Sequence, residues 1–244
     1  MSYLKTWFGL RSIAGRIRRM PRRARAVREV RAQGSWEAMA KYLQNRARLV
    51  AVLDAPVLLQ DAEIALLARY AAGAKKTVVE IGAAYGGSSL IMLTHLQGGA
   101  RLYSLDPFIQ DSMGQFQATE STCRRCVKNA IVALGDPKRT EQWTLIPQYS
   151  FDVMKTWAQK IDMIFIDGDH AYESVKKDFE DWLSFVERGG YMLFHDSRRR
   201  EGTPDGSYDK GWPGPTRLVN ELMSDSRVEF IESAESLSVF RKVA

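Results

Sequence analysis

The stretch from Val78 to Leu93 reads VVEIGAAYGGSSLIML and decides the fold of this chain. A run of apolar residues ends at Gly82, further glycines follow at Gly86 and Gly87, and an apolar run with helical spacing begins after Ser88. This pattern predicts a strand, a tight turn that allows close approach of a ligand, and a helix capped by Ser88 or Ser89. Its G-x-x-x-G spacing differs from the G-x-G-x-x-G spacing that binds a pyrophosphate, so a dinucleotide site is disfavoured.

Short apolar segments alternate with helical segments over the rest of the chain. After the first strand come RLYSLD, WTLIP, DMIFIDG and GYMLFHD. Such alternation predicts βαβ units and a parallel sheet covered by helices on both faces. VEFIES and LSVFRK near the C-terminus predict an antiparallel pair at one edge. The predicted fold class is therefore α/β, a Rossmann-like doubly wound sheet, mostly parallel with an antiparallel edge strand, plus an N-terminal helical extension.

Charge and helical pattern divide the chain into three predicted segments. Residues 1–34 contain ten Lys or Arg and one acid, so this basic amphipathic segment carries a charge of +9 while the remaining residues sum to −3. Residues 35–60 carry one helical pattern that ends near Pro56, and we expect a cap over the site or an interface. Residues 61–244 are predicted to form the main domain.

The basic segment admits several interpretations. Leu10, Ile13, Ile17 and Met20 fall on one helical face, and arginines lie on the others. A helix with this pattern can pack on the body or on a partner, contact a membrane surface peripherally, or belong to a mitochondrial presequence. A disordered leader is a further alternative. The acidic balance of the body disfavours a nucleic acid as partner.

Apolar runs and cysteines bear on the compartment. No apolar run approaches the roughly 20 residues that a membrane span needs. Cys123 and Cys126 are too few for a disulfide framework, and their helical context favours ordinary helix cysteines over a zinc site. With no signal peptide recognised, we expect a soluble protein of the reducing cytoplasm, with peripheral placement at the inner face of the membrane as an alternative.

A carboxylate follows the second predicted strand. LYSLD ends on Asp106, about 25 residues after the glycine turn. A carboxylate at this place can accept hydrogen bonds from the two hydroxyls of a ribose, as the acidic residue of dinucleotide folds does. An Asp-Pro turn is the alternative explanation.

The glycine turn and Asp106 together resemble those of class I S-adenosylmethionine-dependent methyltransferases. The family motif E-x-G-x-x-x-G matches at Glu80, Gly82 and Gly86, over a likeness that covers roughly residues 61–244. The resemblance implies S-adenosylmethionine as the cofactor and a first loop that holds its methionine part. The cofactor-binding residues implied in this way are Glu80, Gly82, Ala83, Tyr85, Gly86, Ser88, Asp106, Ser150 and Asp167, with Ser150 near the adenine.

Acidic residues end two later strands of the predicted sheet. MIFID ends on Asp167, and GYMLFHD ends on His195 and Asp196. If the two strands are neighbours, these side chains can converge, because parallel strands end at the same edge of a sheet. Two carboxylates and an imidazole suit a hard divalent cation, so Asp167, His195 and Asp196 are the predicted ligands of Mg²⁺ or another divalent cation.

His170 lies in the turn between the strand end and the next helix, where a histidine is well suited to take a proton near neutral pH. The charged residues of that helix, among them Asp178, are predicted to be mostly solvated. The segment FIDGDHAYESVKKDFEDW with GGYMLFHDS resembles bacterial methyltransferases that modify sugar hydroxyls of macrolides and other glycosides, related to the cephalosporin hydroxylase accessory protein. That resemblance implies catalytic roles for Asp167 and His170, although His195 departs from the usual acid.

The predicted function is a metal-assisted O-methyltransferase acting on a glycoside or another polyhydroxylated small-molecule or glycan acceptor. The long loop that follows Asp196, with Tyr208 and Trp212, is predicted to line the acceptor side. One alternative is a catechol-type or other small-molecule O-methyltransferase, and another is a cofactor-binding protein without turnover. A homo-oligomer is a further expectation.

Overall fold

The computed structural model describes residues 13–109, 118–197 and 211–244, and for residues 13–21 it describes the backbone alone. Leu10 and Tyr208, which carry parts of the predictions above, lie outside the described residues. In chain order the elements are α1 (Ile13–Arg31), α2 (Trp36–Tyr42), α3 (Arg46–Leu53), α4 (Asp61–Gly73), β1 (Thr77–Ile81), α5 (Gly87–His95), β2 (Arg101–Leu105), α6 (Glu120–Leu134), β3 (Trp143–Ile146), α7 (Ser150–Val153), β4 (Ile161–Ile166), α8 (Tyr172–Leu183), β5 (Val186–Phe194), α9 (Pro213–Leu222), β6 (Val228–Ala234) and β7 (Leu237–Lys242). Short 3₁₀ turns cover Pro137–Gln142 and Met154–Thr156.

The strands form one sheet of seven, in the order β3-β2-β1-β4-β5-β7-β6. Neighbours from β3 to β5 are parallel, whereas β7 is antiparallel to both β5 and β6. The reversed strand β7 thus lies one place inside the edge that β6 forms. The predicted class, a doubly wound and mostly parallel sheet with an antiparallel pair at one edge, is confirmed.

Alternate residues of the strands face two separate hydrophobic clusters, because side chains of a strand point to opposite faces in turn. On β1, Val78 belongs to one cluster and Val79 to the other. The first cluster also holds buried side chains of α1 and α3 to α6, and the second those of α8 and α9. All of β1 is buried, so its apolar residues Val78, Val79 and Ile81 contribute to the core on both faces and its Glu80 carboxyl is enclosed.

Residues 35–60 form two helices instead of the single one that the pattern predicts. The hydroxyl of Ser35 accepts a backbone N–H of α2 at 3.1 Å, and the amide oxygen of Asn45 accepts one of α3 at 3.3 Å. Asparagine is a strong N-cap, so the chain starts a new helix at this residue even though the apolar spacing continues across it. The second helix ends at Asp54, which adopts φ 57°, shortly before Pro56.

The C-terminal half of α1 packs on the domain, as one interpretation of the basic segment expects. Ala26 and Val30 are buried, at 9% and 0% exposure, and belong to the first cluster. Arg22, Arg25 and Arg28 are exposed, and the helical period places Arg25 and Arg28 away from the buried face. No helix among the described residues has the length and apolar character that crossing a bilayer requires.

Candidate functional site

The order of the strands places a crevice at the carboxyl ends of β1 and β4. From β1 the chain moves to β2 and β3 on one side and then returns to β4 on the other. Ligands of open α/β sheets bind outside the strand ends at such a switch point, because the loops diverge there. β4 and β5 are neighbours and pair Ile166 with Phe194, so the residues that follow them emerge side by side.

Two glycines of the first loop have no room for a side chain. A Cβ at Gly82, whose φ is +91°, would lie 2.0 Å from the carbonyl oxygen of Asp167, and one at Gly86, with φ +85°, would lie 2.2 Å from Val127. The loop therefore packs directly on the end of β4 and on α6. Ala83 and Tyr85 between these glycines are buried as well, at 2% and 9% exposure.

Asp106 ties the first loop to the end of β2. One carboxylate oxygen accepts the backbone N–H groups of Ala83 and Ala84 at 3.0 and 2.8 Å, and the other accepts that of Phe108 at 2.7 Å. Asp106 is half-buried, and Oδ1 accepts only one of these three N–H groups. This arrangement combines the turn predicted for Asp106 with a carboxylate that can still accept a ligand hydroxyl.

Glu80 lies on the strand below this loop and has no exposed surface. Its carboxylate accepts the hydroxyls of Ser88, Ser89 and Ser104, that of Ser89 at 2.5 Å. Burial raises the pKa of the Glu80 carboxyl to about 7 although the three hydroxyl donors lower it. The expectation that a serine caps α5 is wrong, because Gly86 is the N-cap residue and makes no side-chain cap bond. Ser88 and Ser89 brace Glu80 instead.

Ser150, the predicted neighbour of the adenine, is hydrogen-bonded to a buried carboxyl of α8. Its hydroxyl donates to Asp178 at 2.5 Å, and Asp178 is 7% exposed. Burial raises the pKa of the Asp178 carboxyl to about 6. The prediction that Asp178 is solvated is wrong, because α8 turns this residue towards the segment after β3.

Three predicted residues converge at the ends of β4 and β5. His170 Nε2 lies 3.3 Å from Asp196 Oδ2 and 3.9 Å from Asp167 Oδ1, and one potential ligand atom from each residue lies within 4.8 Å of the others. Ligands of a divalent cation with bonds of about 2.1–2.4 Å are about 3.0–3.4 Å apart when adjacent and about 4.2–4.8 Å when opposite. The donor set and its spacing thus fit a hard cation. His170 Nε2 is buried and makes no hydrogen bond with the described residues.

His195, the third predicted metal ligand, lies behind this group. Its Nδ1 is 2.9 Å from Asp167 Oδ1 and 3.6 Å from Asp196 Oδ2, while its Nε2 is 3.3 Å from Glu63 Oε2. Both ring nitrogens therefore contact carboxylates, and the ring is 4% exposed. The group of three potential ligands contains His170, and the role of His195 as a metal ligand stays a prediction.

In the buried part of the site, carboxylates lie on both sides of the positively charged His195 ring. Burial lowers the pKa of His195, but the charge of Asp167, the hydrogen bonds of Asp167 and Glu63 and the charge of Asp196 outweigh it, so the pKa lies well above its ordinary value. Burial raises the pKa of the Asp167 carboxyl, yet His195 and His170 hold it below its ordinary range. For Asp196, burial raises the pKa above its ordinary value. His195 is the internal cation of the cluster.

Trp212 covers one face of His170. The two rings are stacked with centroids 4.7 Å apart and planes inclined by 15°. The segment that carries Trp212 is held close, because its backbone N–H donates to the carbonyl of Asp196 at 2.7 Å and a Cβ at Gly214 would lie 2.2 Å from the carbonyl oxygen of His170. Trp212 is 36% exposed, so it also offers surface beside the site.

Unusual backbone conformations mark three of the strand ends. Ala84, Phe108 and Asp196 follow β1, β2 and β5 and adopt φ values of 45°, 52° and 50°. Residues other than glycine rarely adopt these conformations, which tend to occur at functional sites where the surrounding packing holds them. The loops at these strand ends are thus fixed in shape.

Comparison with known proteins identifies the domain. Residues 79–197, from β1 to the end of β5, match a family model described as a methyltransferase domain. Nearly half of the chain is thus similar to a methyltransferase domain. The match takes in the first loop, Asp106 and all of the converging residues from Asp167 to Asp196.

Solved structures with the same fold include two O-methyltransferases. One is TomG of Streptomyces achromogenes, which is involved in tomaymycin synthesis and was solved with S-adenosylmethionine. It aligns with a TM-score of 0.56 at 16% identity, over 83% of this chain and 89% of its own. The other, of Bacillus cereus, in complex with S-adenosylhomocysteine, aligns with a TM-score of 0.55 at 16% identity over 86% of this chain and 100% of its own. At these identities the likeness concerns the fold.

A viral relative is closer in sequence but shorter in its match. An uncharacterised protein of Acanthamoeba polyphaga mimivirus is 34% identical over 86 residues, which is 33% of this chain and 34% of that protein. The match thus spans about a third of that relative. The domain match and these solved structures agree with the predicted class I methyltransferase fold.

Sequence reasoning missed two buried carboxyls of the site, Glu63 and Asp178. Glu63 follows Gln60 by three residues, the spacing of a capping box, and both hydrogen bonds of that box are present. This local role gives no hint of the contact with His195, which is 132 residues away. For Asp178, the only available signal is its place one residue before the buried Phe179.

Proposed function

We propose that this chain is an S-adenosylmethionine-dependent O-methyltransferase in which a divalent cation, Mg²⁺ or a similar ion, assists transfer to a hydroxyl of a glycoside or another polyhydroxylated acceptor. The observation that carries the proposal is the convergence of Asp167, His170 and Asp196 within 4.8 Å of one another, beside the glycine turn of a methyltransferase domain. Carboxylates and an imidazole around one point match the chemistry of a hydroxyl that must be bound and deprotonated.

The cofactor would bind between the first loop and the ends of β2 and β4. Gly82 and Gly86 let the loop pack directly on β4 and α6, and Asp106 Oδ1, which accepts one backbone N–H, keeps capacity to accept a ribose hydroxyl. Ser150 would lie at the adenine end. Glu80 has no exposed surface, so in this proposal it acts by holding the first loop from below. The two solved O-methyltransferases hold S-adenosylmethionine or its product, which supports the same cofactor here.

Proton removal falls to His170. Asp167 and Asp196 would hold the divalent cation, which would make the acceptor hydroxyl more acidic, and S-adenosylmethionine would supply a methyl group on a positively charged sulfur. His170 Nε2 accepts the proton of the acceptor hydroxyl as the oxygen–methyl bond forms and the methyl–sulfur bond breaks. The carboxylate of Asp196, 3.3 Å from this nitrogen, stabilises the imidazolium that results. Trp212 holds the ring by stacking and restricts access of water.

Two measurements test this proposal in sequence. Calorimetric titration of S-adenosylmethionine into the protein, with Mg²⁺ present, should give micromolar binding, and absence of binding would refute the assignment of the cofactor. Turnover of glycosides and of catechols should then be compared with and without EDTA. Turnover of catechols but not of glycosides would refute the glycoside acceptor and favour the catechol-type alternative. Cofactor binding without turnover of any hydroxyl compound would favour a non-catalytic binding protein.

His170→Ala separates the base from the cofactor site. We expect a loss of turnover of about 10²-fold or more, the usual contribution of a general base, with the affinity for S-adenosylmethionine unchanged. Trp212→Phe, which keeps an aromatic ring on the same face, is the matched control. Undiminished turnover of the alanine variant would exclude His170 as the base.

The exposed arginines of α1 support a second part of the proposal, peripheral contact with an anionic membrane. Arg25 and Arg28 are exposed and lie away from the buried face of α1, and residues 1–34 carry a charge of +9. Each basic residue near an anionic bilayer contributes about 1 kcal/mol. Flotation of the whole chain with anionic liposomes at low salt, but not with neutral ones, is the expected result. Failure to float at low salt would refute the proposed membrane contact. Formation of a homo-oligomer stays a separate prediction.

A further inference from the structure

Glu63 is a buried carboxylate that has no role in the proposed methyl transfer. It lies in the first turn of α4 and is 1% exposed. Oε1 accepts the backbone N–H and the hydroxyl of Ser236 at 2.9 and 2.6 Å. Oε2 accepts the backbone N–H of Gln60 at 2.7 Å and lies 3.3 Å from His195 Nε2. Every direction in which this carboxylate can accept a hydrogen bond is thus occupied.

A capping box alone does not explain this position. Its reciprocal bonds join only Gln60 and Glu63 at the start of α4, where such residues are commonly exposed. Here the same carboxylate is buried against the turn between β6 and β7 and against the end of β5. Burying a charge is costly unless it is paired and hydrogen-bonded, and His195 supplies the pairing charge.

Glu63, His195 and Asp167 form a continuous row. From Glu63 Oε2 to His195 Nε2 the distance is 3.3 Å, and from His195 Nδ1 to Asp167 Oδ1 it is 2.9 Å. The imidazole therefore has a carboxylate at each nitrogen, which fixes both the plane of its ring and the direction of its two N–H groups. Asp167, at the far end of the row, belongs to the group that converges with His170 and Asp196.

We propose that Glu63 is a positioning residue that acts through His195 to hold Asp167 in the orientation that binds the divalent cation. The inference rests on the proposed function, since it takes Asp167 as a ligand of that cation. Groups behind the direct ligands orient them, and loss of one typically lowers metal affinity 10- to 100-fold. Without the carboxylate of Glu63, His195 Nε2 loses its partner, and the ring no longer presents Nδ1 to Asp167 in a fixed direction.

This arrangement gives the C-terminal hairpin a part in the site. Ser236 lies in the turn between β6 and β7, and both of its donors hold Glu63. The same turn accepts the hydroxyl of Ser197 at 3.0 Å on the carbonyl oxygen of Ser236. The antiparallel pair at the edge of the sheet thus supports the cation group through Glu63 as well as completing the sheet.

The test is calorimetric titration of Mn²⁺ alone into the whole chain, which needs no acceptor and no turnover. The variants are Glu63→Gln, His195→Asn and the double variant. Ser238→Ala is the matched control, because Ser238 is equally buried on β7 but bonds Ser197 instead of Glu63. S-adenosylmethionine affinity and thermal unfolding are measured on each protein.

We expect Glu63→Gln to weaken Mn²⁺ binding about 10-fold or more, and Ser238→Ala to change it less than about 2-fold. In the His195→Asn background, Glu63→Gln should have little further effect, because both residues act along one row. S-adenosylmethionine affinity should be unchanged throughout. If Glu63→Gln does not fold, Glu63→Asp keeps the charge, retracts it from His195, and should weaken binding in the same direction.

The outcomes separate this inference from the proposed function. Unchanged Mn²⁺ affinity in Glu63→Gln, with or without a lower melting temperature, overturns the positioning role while leaving the cation site in place. Full additivity of the two substitutions overturns the claim that Glu63 acts through His195. If the unsubstituted protein binds no Mn²⁺, metal assistance itself is refuted and the inference falls with it.

Discussion

Replacing Glu80 by glutamine should change how the stability of the protein depends on pH. Glu80 is fully buried beneath the first loop, and burial raises the pKa of its carboxyl from 4.5 to about 7. In the unfolded chain the group ionises near its ordinary pKa, so between these two values the folded state holds a proton that the unfolded state has lost. The free energy of unfolding therefore falls as pH rises through this window.

The magnitude follows from the shift of the pKa. A rise of the pKa from 4.5 to about 7 lowers the free energy of unfolding by about 3 kcal/mol between the acidic and the basic end of the window. About 2.5 kcal/mol of this loss occurs between pH 5 and pH 8. Glutamine carries no charge at any pH, and the serine hydroxyls around it can donate or accept. The stability of Glu80→Gln relative to the unsubstituted chain should therefore improve by about 2–3 kcal/mol from pH 5 to pH 8.

Urea unfolding at pH 5, 6, 7 and 8 measures this difference, and subtraction of the two proteins cancels the other titrating groups. Glu187→Gln, at an exposed position of β5, is the control and should give no trend. A difference that stays flat across the series, or that falls with pH, would refute the reasoning that burial controls the ionisation of Glu80.

Three further outcomes are expected from substitutions at the site. Gly82→Ala should lower the free energy of unfolding in urea by more than about 3 kcal/mol, because its Cβ would lie 2.0 Å from a backbone oxygen of the facing strand end. Gly98→Ala is the control. A Cβ there has nothing within 4 Å, so it should cost less than about 1 kcal/mol. Asp106→Ala should weaken S-adenosylmethionine binding about 10- to 100-fold in calorimetry, since hydrogen bonds to a charged group contribute about 1.5–3 kcal/mol; an unchanged affinity would exclude a ribose role. Trp212→Ala should lower turnover but not cofactor affinity, because the stack on His170 is lost, and equal turnover would show that the stack is dispensable.

The local parts of the fold were accessible from the sequence because they depend on neighbouring residues. The glycine turn after β1, the carboxylates at the ends of β2, β4 and β5, and the antiparallel pair at the C-terminus all follow from the spacing of apolar residues and turn residues. The rule that parallel strands end at one edge then placed Asp167 and Asp196 together. Chain neighbours and the sheet topology were sufficient for this step.

Predictions failed where a side-chain hydrogen bond changed the structure that the apolar spacing predicts. The helical spacing of residues 35–60 continues across Asn45, and the cap made by its side chain divided the segment into two helices. Ser88 was expected to cap α5 but donates to Glu80. Asp178 was assigned to a solvated face, and the packing of α8 buried it beside Ser150. Hydrogen bonds decided each case, and their partners are set by packing.

The sequence by itself determined the class of the fold, the strand ends at which the site lies, and the residue types available there, since all three depend on periodicity and on the chemistry of single side chains. Packing in three dimensions determined what each of the two histidines contacts. His195 and His170 are both near Asp167 in the chain or in the sheet, yet only packing brings Glu63 from α4 to one side of His195 and leaves His170 Nε2 facing Asp196. Charges far apart in the chain must be paired where they are buried, and that pairing exists only once the helices have packed on the sheet.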